Sequence, residues 1–510
     1  MAKKIFKIAD AIASLCDYAQ TAFKLSKLDA LYCENLLLDL FNETERGSKV
    51  FFDDLSLQHD IIDPIVNYAI SQKMCAACDA VRFETKILGM VMPTPSEVVA
   101  KFDSKAASHG IEAATNYLNA ISVRSNYIRM VDIEKNIKWN VESERGNIGV
   151  TINLSKPEKS NKQVYLDLMK PKANYPLCPI CLENLGYGGN SNQAARQTLR
   201  VIPIQLADED WYFQFSPYVY FDHHGIVFSA EHKPMKIRSL TFKRQLDFVE
   251  MFPHYFIGSN ADLPIVGGSI LSHDHFQCGK KVLPMFERPV RKTYRQAFYE
   301  NLTIGVLDWY NSVIVLQSTD RRAVENAASI IHGSWSEYSD HTLNIIARSD
   351  KDRHNTITPI ALFDRGLYTI YLILRNNRTD NKHPHGIFHP TEDMHNIKSE
   401  GIGLIEAMGL FILPGRLFTE IKIIEDILTG QKPLDFKEIT IDPQISKHMT
   451  MIAQLTNDYG TAMDPFDASN VVVNYINSTC AKILDCTAVF KNTQEGYTGF
   501  DRFLATLKIV

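Results

Sequence analysis

The 510-residue chain has no basic excess: 54 lysines and arginines against 59 acidic residues leave a formal net charge of -5. That removes the broad positive footprint that a nucleic-acid backbone selects. Local arginines and lysines can still hold a small anion. No stretch approaches the ~18 apolar residues of a membrane-crossing helix. The best run, near Ala407 to Leu413, is short and contains Gly409. Lys7, Asp10 and Asp17 interrupt the stretch after Met1-Ala2-Lys3-Lys4, so no secretory leader is expected. Cysteine is sparse and odd in number, nine in all. That argues against a disulfide framework and for reduced thiols, with or without a metal. A cytoplasmic protein with no nucleic-acid or membrane partner is the expectation.

What is present is an ordinary globular balance, 45% hydrophobic and 22% charged. The length suits roughly two to four domains. Residues 1–145 look largely helical, because Leu15, Tyr18, Phe23, Leu25, Leu28 and Leu31 recur at helical spacing. This part is expected to be a structural or oligomerising domain. In Pro93-Thr94-Pro95-Ser96-Glu97, Ser96 is the expected helix cap. From about Lys138 the pattern changes. Ile148 to Leu154, Arg200 to Ile204, Tyr218 to Phe221, Gly225 to Phe228 and Leu367 to Leu374 read as strands. Mixed antiparallel sheet with helices on one side makes the class α+β. Two β-rich stretches, 195–290 and 330–390, each end near histidines and hint at a duplicated module.

Cys178-Pro179-Ile180-Cys181 follows a proline-rich turn. Such a turn sets two thiolates on one side of a loop, which suits a tetrahedral metal; a redox pair or two unrelated thiols are the alternatives. Cys75-Ala76-Ala77-Cys78 lies in an apparently helical run, Ile65 to Ala80, where two thiols on one face are better read as buried small hydrophobes. His232, past a strand end, and His273, after Gly267-Gly268-Ser269, are candidate further ligands. In the run His273-Asp274-His275-Phe276-Gln277, alternate side chains of an extended strand share a face. His273, His275 and Gln277 would then point together, one imidazole to metal and the next to substrate. A neutral imidazole is a competent nucleophile near neutral pH. The flat alternative is a polar strand edge.

The run Asp262 to Gln277, with its Gly-Gly-Ser approach to His-Asp-His-Phe-Gln, resembles the signature of class II galactose-1-phosphate uridylyltransferases. These are the bacterial form of the Leloir-pathway UDP-glucose–hexose-1-phosphate uridylyltransferases. His395 to Leu410, and Ser216 through Met235, resemble the same family, so the likeness spans most of 80–420. It implies two histidine-triad-like modules of mostly antiparallel sheet behind the helical domain 1–145. The first, 146–320, is catalytic and carries the zinc site; the second, 321–510, contributes to substrate binding. It implies a ping-pong reaction in which UDP-glucose gives its uridylyl group to His275, releasing glucose 1-phosphate. Galactose 1-phosphate then takes the group and leaves as UDP-galactose. By position, Gln277 meets the phosphoryl oxygens, and Cys178, Cys181, His232 and His273 hold a structural Zn2+. Asn260 contacts the nucleotide phosphates, while Ser269, Lys398 and Glu400 join in substrate binding. The glutamate of the second metal site found in class I has no counterpart, so no second metal is expected. A homodimer is compatible with the family.

His383-Pro384-His385-Gly386 copies the class I motif more literally, but Ile387 stands where glutamine is needed. His275 is therefore the preferred nucleophile. Arg196, Arg200 and Arg348 are candidates to neutralise phosphate charge. The competing functions are another histidine-triad nucleotidyltransferase or nucleotide hydrolase, and a non-catalytic zinc-stabilised nucleotide-sugar-binding protein.

Overall fold

Apolar residues at helical spacing fold the first quarter of the chain into helices Ile8–Phe23, Lys27–Leu40, Asp63–Ser71, Ala80–Met90, Pro95–His109, Ile111–Arg124 and Met130–Ile133. The computed structural model describes residues 6–48, 57–155, 175–190, 193–268, 270–295 and 301–507. The cap of the helix Pro95–His109 is Thr94, not Ser96. Thr94 accepts from Glu97 N, and the Glu97 carboxylate accepts from Thr94 N, with Pro95 filling the first turn. The helix expected through Cys75 and Cys78 stops at Ser71. A turn follows, with Lys73 in the left-handed region, and leaves Cys75 half-buried and Cys78 exposed. These helices do not form a separate core. Ile12, Leu15, Ile87 and Leu118 share one apolar cluster with Phe213, Phe276 and Ile257 of the sheet.

Strands β1 (Ile137–Val141) and β2 (Ile148–Asn153) form a small sheet with β15 (Leu410–Pro414), which runs parallel to β2. The main sheet has ten strands. Its first five are β3 (Ile202–Leu206), β4 (Glu209–Phe215), β5 (Gly225–Ser229), β6 (Tyr255–Gly258) and β7 (His275–Lys280). The other five are β8 (Val290–Arg295), β9 (Thr303–Leu307), β10 (Val313–Ser318), β13 (Asn355–Asp364) and β14 (Leu367–Asn376), with the hairpin β11 (Arg348–Ser349) and β12 (Asp352–Arg353) between them in sequence. The spatial order is β3-β4-β5-β7-β6-β13-β14-β10-β9-β8, and every neighbouring pair is antiparallel.

This order contains a repeat. Counted from either edge inwards, each half runs first, second, third, fifth, fourth strand. In each half a helix joins the third strand to the fourth: Ser239–Met251 in one, Arg321–Glu337 in the other. The fourth strands, β6 and β13, meet at the centre through Ile257 and Ala361. The chain is thus α+β with paired antiparallel modules. By hydrogen bonding the second set begins at Val290, ahead of the boundary expected at 320. Tyr218 to Phe221 is a turn rather than a strand. Val219 takes a positive φ of 45°, and the Tyr218 and Tyr220 rings stack at 5.7 Å.

The helices Leu417–Leu428, Met449–Tyr459 and Pro465–Thr487 close the second apolar cluster over the other sheet face, against Phe256, Ile360 and Leu404. Among them lies the buried carboxylate of Glu420. It takes Arg416 Nη1 at 2.7 Å, Lys447 Nζ at 2.5 Å and His448 Nε2 at 2.9 Å. Burial alone would raise its pKa, but the three partners outweigh that and hold it down to about 2. In the unfolded chain the group titrates near ~4.3. Its contribution is therefore complete above that value and disappears as pH falls towards 2. Glu420→Gln is expected to lose about 3 kcal/mol at neutral pH. Its stability should also fall less than the parent's between about pH 5 and about pH 2. Denaturant titrations across that range test this; parallel curves for the two proteins refute it. No helix among the described residues is long and apolar enough to cross a membrane.

Candidate functional site

The Cys178 turn is fixed before any ion is considered. Asn184, buried, donates to Cys178 O at 2.8 Å and to Cys181 O at 2.9 Å, so the two thiols face the same way. The segment after β5 is laced to the run before β7. Asp274 N donates to Lys233 O, Ser229 N to Asp274 O, and Met235 N to Leu271 O. That lacing carries His232 and His273 to the thiols. Cys178 Sγ lies 3.3 Å from Cys181 Sγ and 3.3 Å from His273 Nδ1. Cys181 Sγ lies 3.0 Å from His232 Nδ1 and 3.5 Å from His273 Nδ1. Four donor atoms thus fall within 4.8 Å of one another, a group that could hold a metal ion. His273 donates from Nε2 to Ser229 O at 2.8 Å, which leaves Nδ1 as its lone-pair atom, the one aimed at both sulfurs. Cys75 and Cys78 join no such group among the described residues.

β7 starts at His275, so the alternation expected over the whole run applies to His275 and Gln277, while His273 sits ahead of the strand and bends into the thiol cluster. His275 is buried. Its Nδ1 lies 2.8 Å from His273 O. A carbonyl only accepts, so Nδ1 carries the hydrogen and Nε2 the free lone pair. Burial lowers the ring's pKa to about 4. Gln277 follows on the same face, and its Oε1 lies 3.0 Å from Nε2 of buried His224.

The opposite face of the strand is clamped. Asp274 Oδ2 accepts from Arg244 Nη1 at 3.1 Å; Arg244 is fully buried and reaches Glu209 with Nη2 at 2.5 Å. Burial pushes the Asp274 carboxyl up to about 6 against the pull of Arg244. The guanidinium lies 5.0 Å over Trp211, whose ring stacks on Phe276 at 5.1 Å. Asp274 and Phe276, the two residues that alternate with His275 and Gln277, are thus held from behind by one helix and by side chains of β4, two places away in the sheet.

The segment His395 to Leu410 packs beside the His275 and Gln277 face, on Gly258. Gly258 pairs with Gln277, and a Cβ at Gly258 would sit 2.9 Å from both methyls of Leu404, so only glycine admits the approach. Asn260 Oδ1 accepts from Leu404 N at 2.9 Å, and a Cβ at Gly268 would lie 2.5 Å from Asn260 Nδ2. Lys398 is buried, with Glu406 Oε1 at 3.0 Å and Glu400 Oε2 at 3.8 Å; Glu400 is mostly exposed. Glu406 is the closer partner and was not singled out from the sequence. Ser269 lies outside the described residues.

The arginine candidates are bonded elsewhere. Arg200 is buried and donates to Pro93 O at 2.7 and 2.9 Å. Arg348 pairs with Glu337 at the surface, and Arg196 lies over the Tyr127 ring. His383 bonds Asp380, and the half-exposed His385 faces Glu392 at 3.6 Å and the His395 ring. β14, the counterpart of β7 in the second half, carries no histidine, so the repeat supplies one such imidazole per chain. Sequence reasoning also missed His224 and Arg244. One of two adjacent histidines before a strand and a single arginine in an amphipathic helix carry no local signal of what they face across a sheet.

Residues 26–234 match the family model for the N-terminal domain of galactose-1-phosphate uridyl transferase, and residues 248–427 match the model for its C-terminal domain. The chain is similar to a galactose-1-phosphate uridylyltransferase of Caldanaerobacter subterraneus subsp. tengcongensis, 42% identical with 97% of each chain covered. It is also similar to those of Clostridium acetobutylicum, 41% identical over 94% of this chain and 96% of that one, and Bacillus subtilis, 40% identical with 98% of each covered.

Proposed function

The chain belongs to the galactose-1-phosphate uridylyltransferase family, and we propose that it moves a uridylyl group from UDP-glucose to galactose 1-phosphate through a covalent adduct on His275. The observation that carries this is the Nδ1 contact to His273 O, which turns the Nε2 lone pair of a buried ring outward beside Gln277. In the first step Nε2 bonds to the α-phosphorus of UDP-glucose. The phosphorus–oxygen bond to glucose 1-phosphate breaks, and that phosphate leaves with the electron pair. In the second, a phosphate oxygen of galactose 1-phosphate attacks the same phosphorus, and the nitrogen–phosphorus bond returns its pair to Nε2. Both steps are in-line displacements of one geometry, so one site serves twice. Gln277 donates to the phosphoryl oxygens without adding charge. Asn260, Ser269, Lys398 and Glu400 are assigned to substrate contact; the packing of Leu404 on Gly258 beside Gln277, with Leu404 N bonded to Asn260, supports this for Asn260.

We assign the four-donor group to zinc. Bond lengths of ~2.3 Å to sulfur and ~2.0–2.1 Å to nitrogen make the edges of a tetrahedron roughly 3.5 Å, near the separations among these atoms. Four protein ligands leave no open position, so the ion's contribution when bound is structural: it ties the Cys178 loop to His273. Nine free thiols fit a reducing compartment, and we place the protein in the cytoplasm.

The test is incubation with UDP-glucose labelled in its glucose 1-phosphate half or its uridylyl half, without galactose 1-phosphate, and with unlabelled glucose 1-phosphate added for the exchange and omitted for the adduct. Expected are exchange of label into free glucose 1-phosphate without net hydrolysis, and an acid-labile mass increment of one uridylyl group on the peptide containing His275. Release of UMP to water instead indicates a hydrolase. Protection of the fold with no adduct indicates a binding protein.

A further inference from the structure

His224 stands one residue ahead of β5, diagonal to Gln277, and is 4% exposed. Its ring lies 4.4 Å from that of Phe221 and stacks near Tyr220 at 5.5 Å. Its two nitrogens differ. Nε2 is 3.0 Å from Gln277 Oε1, while Nδ1 is buried with no hydrogen-bond partner.

That difference selects the tautomer. With the hydrogen on Nδ1, a buried donor would be orphaned, and the Nε2 lone pair would face the lone pairs of Oε1. Orphaned buried donors are the rarer and costlier defect. With the hydrogen on Nε2 it donates to Oε1, and only an unfilled lone pair remains on Nδ1. Burial also pushes the ring's pKa down to about 4, so near neutral pH it carries a single hydrogen.

An amide has one accepting end and one donating end. Once Oε1 is engaged by His224, the NH2 end of Gln277 must point away from it. That end makes no hydrogen bond to the protein among the described residues. A glutamine free to flip would spend part of its time presenting its carbonyl oxygen to an anionic phosphoryl group, which is repulsive. We propose that His224 is a positioning residue: by donating to Oε1 it locks the Gln277 amide with its NH2 group toward the phosphoryl oxygens of the group carried on His275. This rests on the assignment of Gln277 to those oxygens made above.

The experiment is a set of full-length variants read by single-turnover uridylylation and by the kcat and KM of the complete reaction. His224→Phe keeps the ring and its stacking but removes the donor. It is expected to slow uridylylation about 10- to 100-fold, mainly in kcat, because a donor to developing phosphoryl charge is misdirected. His224→Gln places an amide NH2 near the position of Nε2 and is expected to restore most of the rate. In a Gln277→Leu background, His224→Phe should cost nothing further. Equal slowing in His224→Phe and His224→Gln overturns the proposal, since returning a donor near Oε1 then restores nothing. So does additivity of His224→Phe with Gln277→Leu. A normal rate in His224→Phe beside a slow Gln277→Leu also overturns it while leaving the glutamine's role intact. A normal rate in Gln277→Leu removes that role, and the proposal with it. Should His224→Phe fail to fold, His224→Asn, whose amide is too short to reach Oε1, takes its place against His224→Gln.

Discussion

His275→Ala is expected to lower exchange between UDP-glucose and glucose 1-phosphate by roughly four to six orders of magnitude while leaving the protein folded. The size follows from what the ring does. Without Nε2 no adduct forms, and the remaining route is direct attack of one hexose phosphate on UDP-glucose. That requires both sugars to be held at once, with two anionic phosphates brought together, in a site shaped to take them in turn. The survival of the fold follows from the ring's few attachments. Nδ1 makes one hydrogen bond, to the carbonyl of His273, and the run is held from its other face by Arg244 on Asp274 and by Trp211 on Phe276. The small cavity left behind is of the kind that costs about 1–3 kcal/mol. His385→Ala is the companion variant. His385 faces Glu392 and His395, and its motif lacks the glutamine, so its loss should leave exchange within about twofold of the parent. Substantial ping-pong exchange in His275→Ala, or its collapse in His385→Ala, would move the nucleophile to the other motif.

The parts of this site that could be read from the chain are those set by short-range chemistry. A Cys-x-x-Cys turn has little choice about where its thiols go, and β7 imposes its alternation on His275 and Gln277 whatever surrounds it. The α+β class was legible for the same reason, because strand periodicity is local. Residues that act across the sheet were not legible. His224 reaches Gln277 only because β5 and β7 pair in the register Ile226 to Gln277. Arg244 meets Asp274 only because its helix packs behind the strand. Register and packing are decided by the whole fold, and one sequence does not state them. The local misreadings have local causes too. Tyr218 to Phe221 has the aromatic and β-branched content of a strand, yet Val219 turns the chain there. The helix through Cys75 is cut short at Ser71, where apolar spacing alone gave no stop. The helical first quarter looked like a separate domain because its internal periodicity is complete; that its apolar faces finish the core of the main sheet is a tertiary fact.

Cys178→Ser is expected to lose most of its bound metal and at least ~2–3 kcal/mol of stability, with a smaller effect on the chemistry itself. Cys178 touches both Cys181 and His273, so it closes one side of the four-donor group. Serine puts a neutral hydroxyl where a thiolate is needed, and the remaining three donors make a much weaker site. Without the ion, the loop keeps its own Asn184 hydrogen bonds but loses its tie to the motif run. The consequence for turnover runs through a single atom. The carbonyl of His273, the residue whose Nδ1 points at both sulfurs, is the one that orients His275. Loosening His273 therefore lets the nucleophile rock without removing it, and a fall of about tenfold in kcat per folded molecule is expected, far short of that in His275→Ala. Metal analysis of the purified variant, its denaturant midpoint and its single-turnover rate separate these effects. Full metal content in Cys178→Ser would remove Cys178 from the ligand set. A rate as low as that of His275→Ala in well-folded protein would mean that the ion does more than hold the strand.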